Sequence, residues 1–348
     1  MNKVFNCAVL KKINKPLVVY KCKTRKLTRG QVLVKLNFSC ICRSQLMEID
    51  GSRGKDKWLP HALGHEGSGK VVKIGPGVKK VKKGDLVIIS WIKSKGIDAA
   101  SPKYQTLKNE LINAGSVTTF SEYSVISENR LSKKPKFLSL KEAALFGCAL
   151  PTGGGIVLNQ IKPTKNSTIL IIGVGGVGIS SLITLLALKC KNIIIFDKSK
   201  QKINFLKRLF KLNQVYYGSA KKFKDNFFRE FPDGVDYCIE SAGHAKTIEL
   251  GFSLLKNQGK IVFASHPDIK ERIKMKPHDL IRGKKIYGSW GGNFKPDRDI
   301  IKLAKIIKRS RFDLNKLLSR PYKLKNINTL IKKFRSNNSF FRPLLKIS

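Results

Sequence analysis

The stretch LGHEGSGKVVKIGPGV, residues 63–78, sets one histidine, His65, directly before Glu66 inside a run of glycines. An imidazole can ligate a metal or carry a proton, but a metal needs two or three further ligands. Seven cysteines, at 7, 22, 40, 42, 148, 190 and 238, are candidates. In a reducing compartment they are thiols or metal ligands, and the odd count argues against a disulfide framework. The default for any one of them is a small buried hydrophobe. A second chemical signal is GVGGVG, in which Gly173, Gly175 and Gly178 keep the G-x-G-x-x-G spacing. The first glycine permits a tight turn, the second lets backbone approach a pyrophosphate, and the third lets helix pack on strand. Asp197, 19 residues beyond Gly178, can bind ribose hydroxyls and repels a 2′-phosphate, which favours NAD over NADP. Lys198 and Lys200 beside it weaken that preference.

These residues need elements to hold them. The first 150 residues read as β-rich: QVLVKLNFSC, GSGKVVKIG, GDLVIIS and FSEYSVIS are β-branched runs punctuated by glycine. From about 151 to 285 strands and helices alternate. STILII enters the glycine turn, GISSLITLLALKC is a helix, KNIIIFD a strand and SKQKINFLKRLFKL a helix. GVDYCIESAG, TIELGFSLLKNQG and KIVFASH continue the series, which predicts a parallel sheet covered on both faces. FKPDRDIIKLAKIIKRSRFDLNKLL reads as helical. Residues 93–118 are polar and irregular, and are expected to form a surface loop or lobe.

The pattern G-H-E-x-x-G-x-x-x-x-x-G-x-x-V, from Gly64 to Val78, resembles the signature of the zinc-containing alcohol dehydrogenases of the medium-chain dehydrogenase/reductase superfamily. SCICRSQ, LFGCALPTGGG and the order of the elements extend the resemblance over nearly the whole chain. It implies an α/β protein with a β-rich, GroES-like catalytic domain over 1–150, completed by 290–348. A Rossmann domain with a doubly wound parallel sheet, binding NAD, is then expected over 151–289. By the same resemblance Cys42, His65 and Cys148 are the ligands of one catalytic Zn2+ with an open fourth position. Ser44 matches the hydroxyl that relays the substrate proton, and Glu66 an acid next to the zinc. Arg43 and Arg342 match clamps on the cofactor pyrophosphate. Lys202 matches a lysine near the adenosine ribose, and Thr152 a residue packing on the nicotinamide. Trp91 falls where an aromatic side chain lines the substrate pocket, although ordinary core is the competing reading. Homodimers or homotetramers through an edge of the nucleotide-domain sheet are expected, with GKIVFASH as the candidate edge element.

The chain departs from the family in three places. Residues 91–120 lack the four closely spaced cysteines of a structural zinc lobe, so no structural zinc is expected. Gln45 stands where an aspartate orients the ligand histidine, so His65 should be less basic and the zinc more electrophilic. Met47 replaces a histidine that passes the relayed proton to solvent, so release must run through cofactor hydroxyls or water.

Composition sets the outer limits. A chain of 348 residues accommodates two domains, and 42% hydrophobic residues fit a globular protein. No leader pattern or membrane-length apolar run appears, so a soluble cytoplasmic protein with no membrane partner is expected. The net charge of +46 invites a nucleic-acid-binding reading on a degenerate dehydrogenase fold. The lysines are scattered in pairs rather than gathered in a block, and the intact candidate ligands argue against degeneration. Lys93 and Lys95 beside the expected pocket could read an anionic substrate, which keeps a polyol, sugar or sugar-nucleotide dehydrogenase as the alternative enzyme.

Overall fold

The computed structural model describes residues 3–336 and 342–348. The chain divides into two compact units, one of residues 1–148, 295–301 and 313–348, the other of Ala149–Phe294 with Lys302–Phe312.

The first unit is β-rich. Strands Val4–Leu10, Val18–Lys23, Lys103–Thr106, Leu111–Ala114 and His61–Ala62 close a small barrel. A second sheet runs Leu131–Lys133, Leu86–Ser90, Glu66–Ile74, Gln31–Cys40, Arg342–Lys346, Leu318–Lys323, with Tyr123–Ser127 also paired to Gln31–Cys40. Strand Arg342–Lys346 lies antiparallel to Gln31–Cys40, so the C-terminal segment returns to the first unit.

The expectation of an irregular loop over 93–118 is corrected here. Lys103–Thr106 and Leu111–Ala114 form an antiparallel hairpin that completes the barrel. Each alternates outward and inward residues, with Tyr104 and Ile112 fully buried. Two four-residue strands are too short for that alternation to stand out in a polar sequence. Asn109 turns the hairpin at φ 65°, a conformation that asparagine tolerates better than most residues. The Tyr104 ring meets Phe5 edge-on at 5.1 Å, and its hydroxyl accepts the Val125 N–H at 2.9 Å.

The second unit holds a six-stranded parallel sheet in the order Val215–Tyr217, Asn192–Asp197, Thr168–Ile172, Val235–Glu240, Leu255–Phe263, Lys285–Gly288. Numbered along the chain this is 3-2-1-4-5-6, the doubly wound arrangement with its switch point between the first and fourth strands. The central strands read as unbroken apolar runs because helices cover both faces. Helix Gly176–Ala187 is buried along most of its length, whereas Lys200–Leu209 and Ala220–Glu230 bury one stripe each. Phe223 of the latter stacks on Phe196 at 4.4 Å. A second correction concerns the sheet edge. The GKIVF part of GKIVFASH lies in Leu255–Phe263, which is paired on both sides, and the edge strand is Lys285–Gly288. Its short, half-polar KIYG carries little strand signal. Among the described residues no single helix is long and apolar enough to cross a membrane.

Candidate metal centre and dinucleotide loop

Three chain segments of the first unit converge on one spot. Cys42 sits at the N-cap of helix Arg43–Ile49, just after strand Gln31–Cys40. His65 and Glu66 open strand Glu66–Ile74. Cys148 follows the short turn Ala144–Gly147. Two glycines make the convergence possible. Gly64 has φ +104°, and a Cβ there would lie 2.3 Å from Thr119 Oγ1. A Cβ at Gly147 would lie 2.6 Å from the Glu66 Cβ and 2.4 Å from the Ile89 carbonyl oxygen, so only glycine lets this turn press onto the strand.

The potential ligand atoms of Cys42, His65, Glu66 and Cys148 all lie within 4.8 Å of one another. The two sulfurs are 3.9 Å apart. Two thiolates on a tetrahedral zinc are about 3.8 Å apart, from Zn–S bonds of about 2.3 Å. The His65 Nε2 is buried and has no hydrogen-bond partner among the described residues. A buried nitrogen in that state is costly unless something binds it. Two sulfurs and one imidazole nitrogen are the borderline-soft donors that zinc prefers, so the residues present fit the ion.

The electrostatics are those of a compact cation site. The hydrogen bond from Cys148 holds the Cys42 thiol well below its ordinary value, against burial and with help from the Arg342 charge. The same hydrogen bond, added to burial, pushes Cys148 well up. Burial alone would lower His65, but the neighbouring Cys42 thiolate outweighs that and raises it. Glu66 is raised by burial, which the Arg342 charge offsets only in part. Arg342 and Glu66 form an ion pair with side chains 9% and 0% exposed.

Gln45 lies between the helix cap and the His65 ring. Its Oε1 accepts the Cys42 N–H at 2.8 Å, while its Nε2 faces His65 Nδ1. The amide oxygen is drawn to the backbone by the capping box of helix Arg43–Ile49. The Ser44 hydroxyl lies 3.5 Å from the same His65 Nδ1.

In the second unit the glycine turn joins strand Thr168–Ile172 to helix Gly176–Ala187, whose N-cap is Gly175. A Cβ on Gly173, at φ +86°, would meet the Ala242 backbone nitrogen at 2.7 Å. A Cβ on Gly178 would lie 2.0 Å from the Gly173 carbonyl oxygen. A Cβ on Gly175 would meet nothing within 4 Å. Folding therefore requires two of the three glycines. The third keeps clear a space in front of the first N–H groups of the helix, where the chain can cradle an anion. Asp197 ends the neighbouring strand, and its Oδ2 accepts the Val174 N–H of the turn at 2.8 Å. Lys202 Nζ lies 3.6 Å from the same oxygen.

Two family models match the chain: the alcohol dehydrogenase GroES-like domain over residues 28–136, and the zinc-binding dehydrogenase over residues 176–309. The chain belongs to the zinc-containing alcohol dehydrogenases. Alcohol dehydrogenase 6 of Peromyscus maniculatus is 27% identical, covering 94% of this chain and 95% of that protein. A solved alcohol dehydrogenase zinc-binding domain protein from Burkholderia ambifaria superposes with a TM-score of 0.91 at 23% identity over 100% of both chains. Benzyl alcohol dehydrogenase from Acinetobacter calcoaceticus does so with a TM-score of 0.88 at 24% identity, over 99% and 100%. At those identities the structural likeness speaks for the fold.

In this dehydrogenase the remaining candidates fall as follows. The Arg342 guanidinium, expected at a cofactor pyrophosphate, reaches Glu66. Arg43 is exposed. Thr152 is buried in helix Ala149–Gly155. Trp91 follows strand Leu86–Ser90, and its carbonyl oxygen accepts a hydrogen bond from the Arg130 guanidinium. Sequence reading missed the pairing of Glu66 with Arg342, which spans 276 residues and leaves no local pattern. It also missed Gly147, whose only signal is its place directly before Cys148.

Proposed function

We propose that this dehydrogenase is NAD-dependent and moves hydride reversibly between an alcohol carbon and the nicotinamide, with one catalytic zinc held by Cys42, His65 and Cys148. The observation that carries the reading is the convergence of those donor atoms with His65 Nε2 buried and unpartnered. Zinc, when bound, supplies a Lewis acid that lowers the pKa of an alcohol. The protein's own residues do the rest. Glu66 with Arg342 sets the charge behind the ligands, and the Gln45 side chain packs behind the His65 ring. Ser44 would take the substrate hydroxyl proton, and with methionine rather than histidine at position 47 that proton would leave through cofactor hydroxyls or water. By the family resemblance Arg43 and the glycine loop would hold pyrophosphate, Lys202 and Asp197 the ribose, and Thr152 the nicotinamide, while Trp91 would wall the substrate. Asp197 supports NAD over NADP, because a carboxylate repels a 2′-phosphate.

The test is a substrate panel of primary alcohols, polyols and sugar alcohols with NAD and NADP in turn. Higher kcat/KM with NAD is expected, and Asp197→Ser should narrow that preference by about tenfold. A preference for NADP in the parent protein would overturn the cofactor assignment. Replacing Ser44 with Ala should lower kcat by about a hundredfold or more and shift its pH profile.

The same reading includes a homodimer. Ile281 and Trp290, which flank Lys285–Gly288 in the sequence, are 78% and 73% exposed. An unpaired strand edge with exposed apolar residues next to it in the chain is a surface that a second copy can pair with and cover. Sedimentation of the intact protein at two molecules per particle is expected, reverting to one with Tyr287→Pro.

A further inference from the structure

A cavity of about 810 Å³ opens on the first unit at residues none of which takes part in the metal centre. Its walls come from the turn after strand Glu66–Ile74, the segment after Trp91, and the first turn of helix Pro296–Arg309. Five cations line it: Arg29, Lys79, Lys80, Lys95 and Arg298. Two acids also line it, the buried Glu128 and the exposed Asp297, and both have partners within the protein. The buried Glu128 carboxylate accepts the N–H groups of Lys79, Lys80 and Ile97 at 2.7, 2.6 and 2.8 Å. Asp297 pairs with Lys80 Nζ at 2.6 Å and accepts the Lys95 N–H at 2.8 Å. Arg298 pairs with Asp299.

What remains is three exposed cationic heads on one concave surface. Among the described residues the side chains of Arg29, Lys79 and Lys95 form no ion pair or hydrogen bond with another side chain. Like charges gathered at one mouth cost energy unless an anion joins them. One guanidinium and two ammonium groups match an anion with several phosphate oxygens, the first by a two-pronged contact and the others as point charges. The rest of the lining is Ile97 with Gly77 and Gly96, the two glycines at φ +74° and +113°. The volume exceeds what a single phosphate needs and accommodates a phosphoanhydride chain.

We propose that this cavity binds a phosphoanhydride anion, at a site separate from the glycine loop. Its chemistry is shared by inorganic polyphosphates and by nucleoside triphosphates.

The experiment is isothermal titration of the full-length protein with inorganic tripolyphosphate, and separately with a nucleoside triphosphate, at about 150 mM salt to screen diffuse surface charge. The variant combines Arg29→Ala, Lys79→Ala and Lys95→Ala. A control removes the same charge elsewhere, with Lys221→Ala, Lys222→Ala and Lys224→Ala on helix Ala220–Glu230. All six side chains are exposed, so both proteins should fold. The expected result is binding that the cavity variant weakens by about tenfold or more and the control by less than about twofold. Tighter binding of the nucleotide would assign it as the ligand, and equal affinity the inorganic chain. Equal losses in the two variants, no loss in either, or no binding by the parent protein at this salt would overturn the proposal.

Discussion

His65 meets two surroundings through its two nitrogens. Nε2 faces the sulfurs, and Nδ1 faces the Gln45 amide and the Ser44 hydroxyl. A carboxylate at 45 would add a negative charge behind the ring and make it a stronger donor. Gln45→Asp should therefore tighten zinc by about 10- to 100-fold in a chelator competition; an unchanged affinity would show that the amide already orients the ring as well as a charge would. Arg342 is a second test at this scale. Removing it leaves the buried Glu66 carboxylate without its cation. Arg342→Ala should cost about 3–5 kcal/mol in denaturant unfolding, and Glu66→Gln in the same chain should recover much of that. The residues around the metal were unevenly legible. His65 and Glu66 stand together in a glycine-rich pattern, and Cys42 carries its own short motif, so both could be found along the chain. The orientation of the Gln45 amide could not, because it follows from a helix cap that claims its oxygen.

At the scale of elements, glycines set which segments can touch. Gly178→Ala should destabilise the fold, since its Cβ would collide with the Gly173 carbonyl. Gly175→Ala has room within the protein and should leave the melting temperature nearly unchanged while weakening NAD, read by fluorescence titration. Equal affinity in Gly175→Ala would separate that glycine from the cofactor. The strand–turn–helix around these glycines was plain in sequence because long apolar periods surround it. The hairpin at Lys103–Thr106 and Leu111–Ala114 was not, since four-residue strands carry too little alternation and Tyr104 gains its partners only from distant strands. Strand Arg342–Lys346 was missed for a similar reason: its meaning lies in pairing with Gln31–Cys40, which no local window contains.

For the whole molecule, the net charge of +46 works as a field. It draws anionic cofactors toward the surface and fades with salt. The apparent KM for the dinucleotide should rise severalfold as salt goes from about 20 to about 300 mM, while kcat moves little. A flat KM would mean that the charge is spread too evenly to steer. The charge did not foretell the fold or the chemistry, which rest on a few spaced residues. The chemistry stands on Cys42, His65 and Cys148 holding a metal together. Elemental analysis of zinc in the purified protein and in Cys148→Ser is the measurement to make. About one zinc per chain is expected, lost in large part in the variant. Near-zero zinc in the parent protein while NAD still binds, or the same zinc content in both proteins, would contradict it.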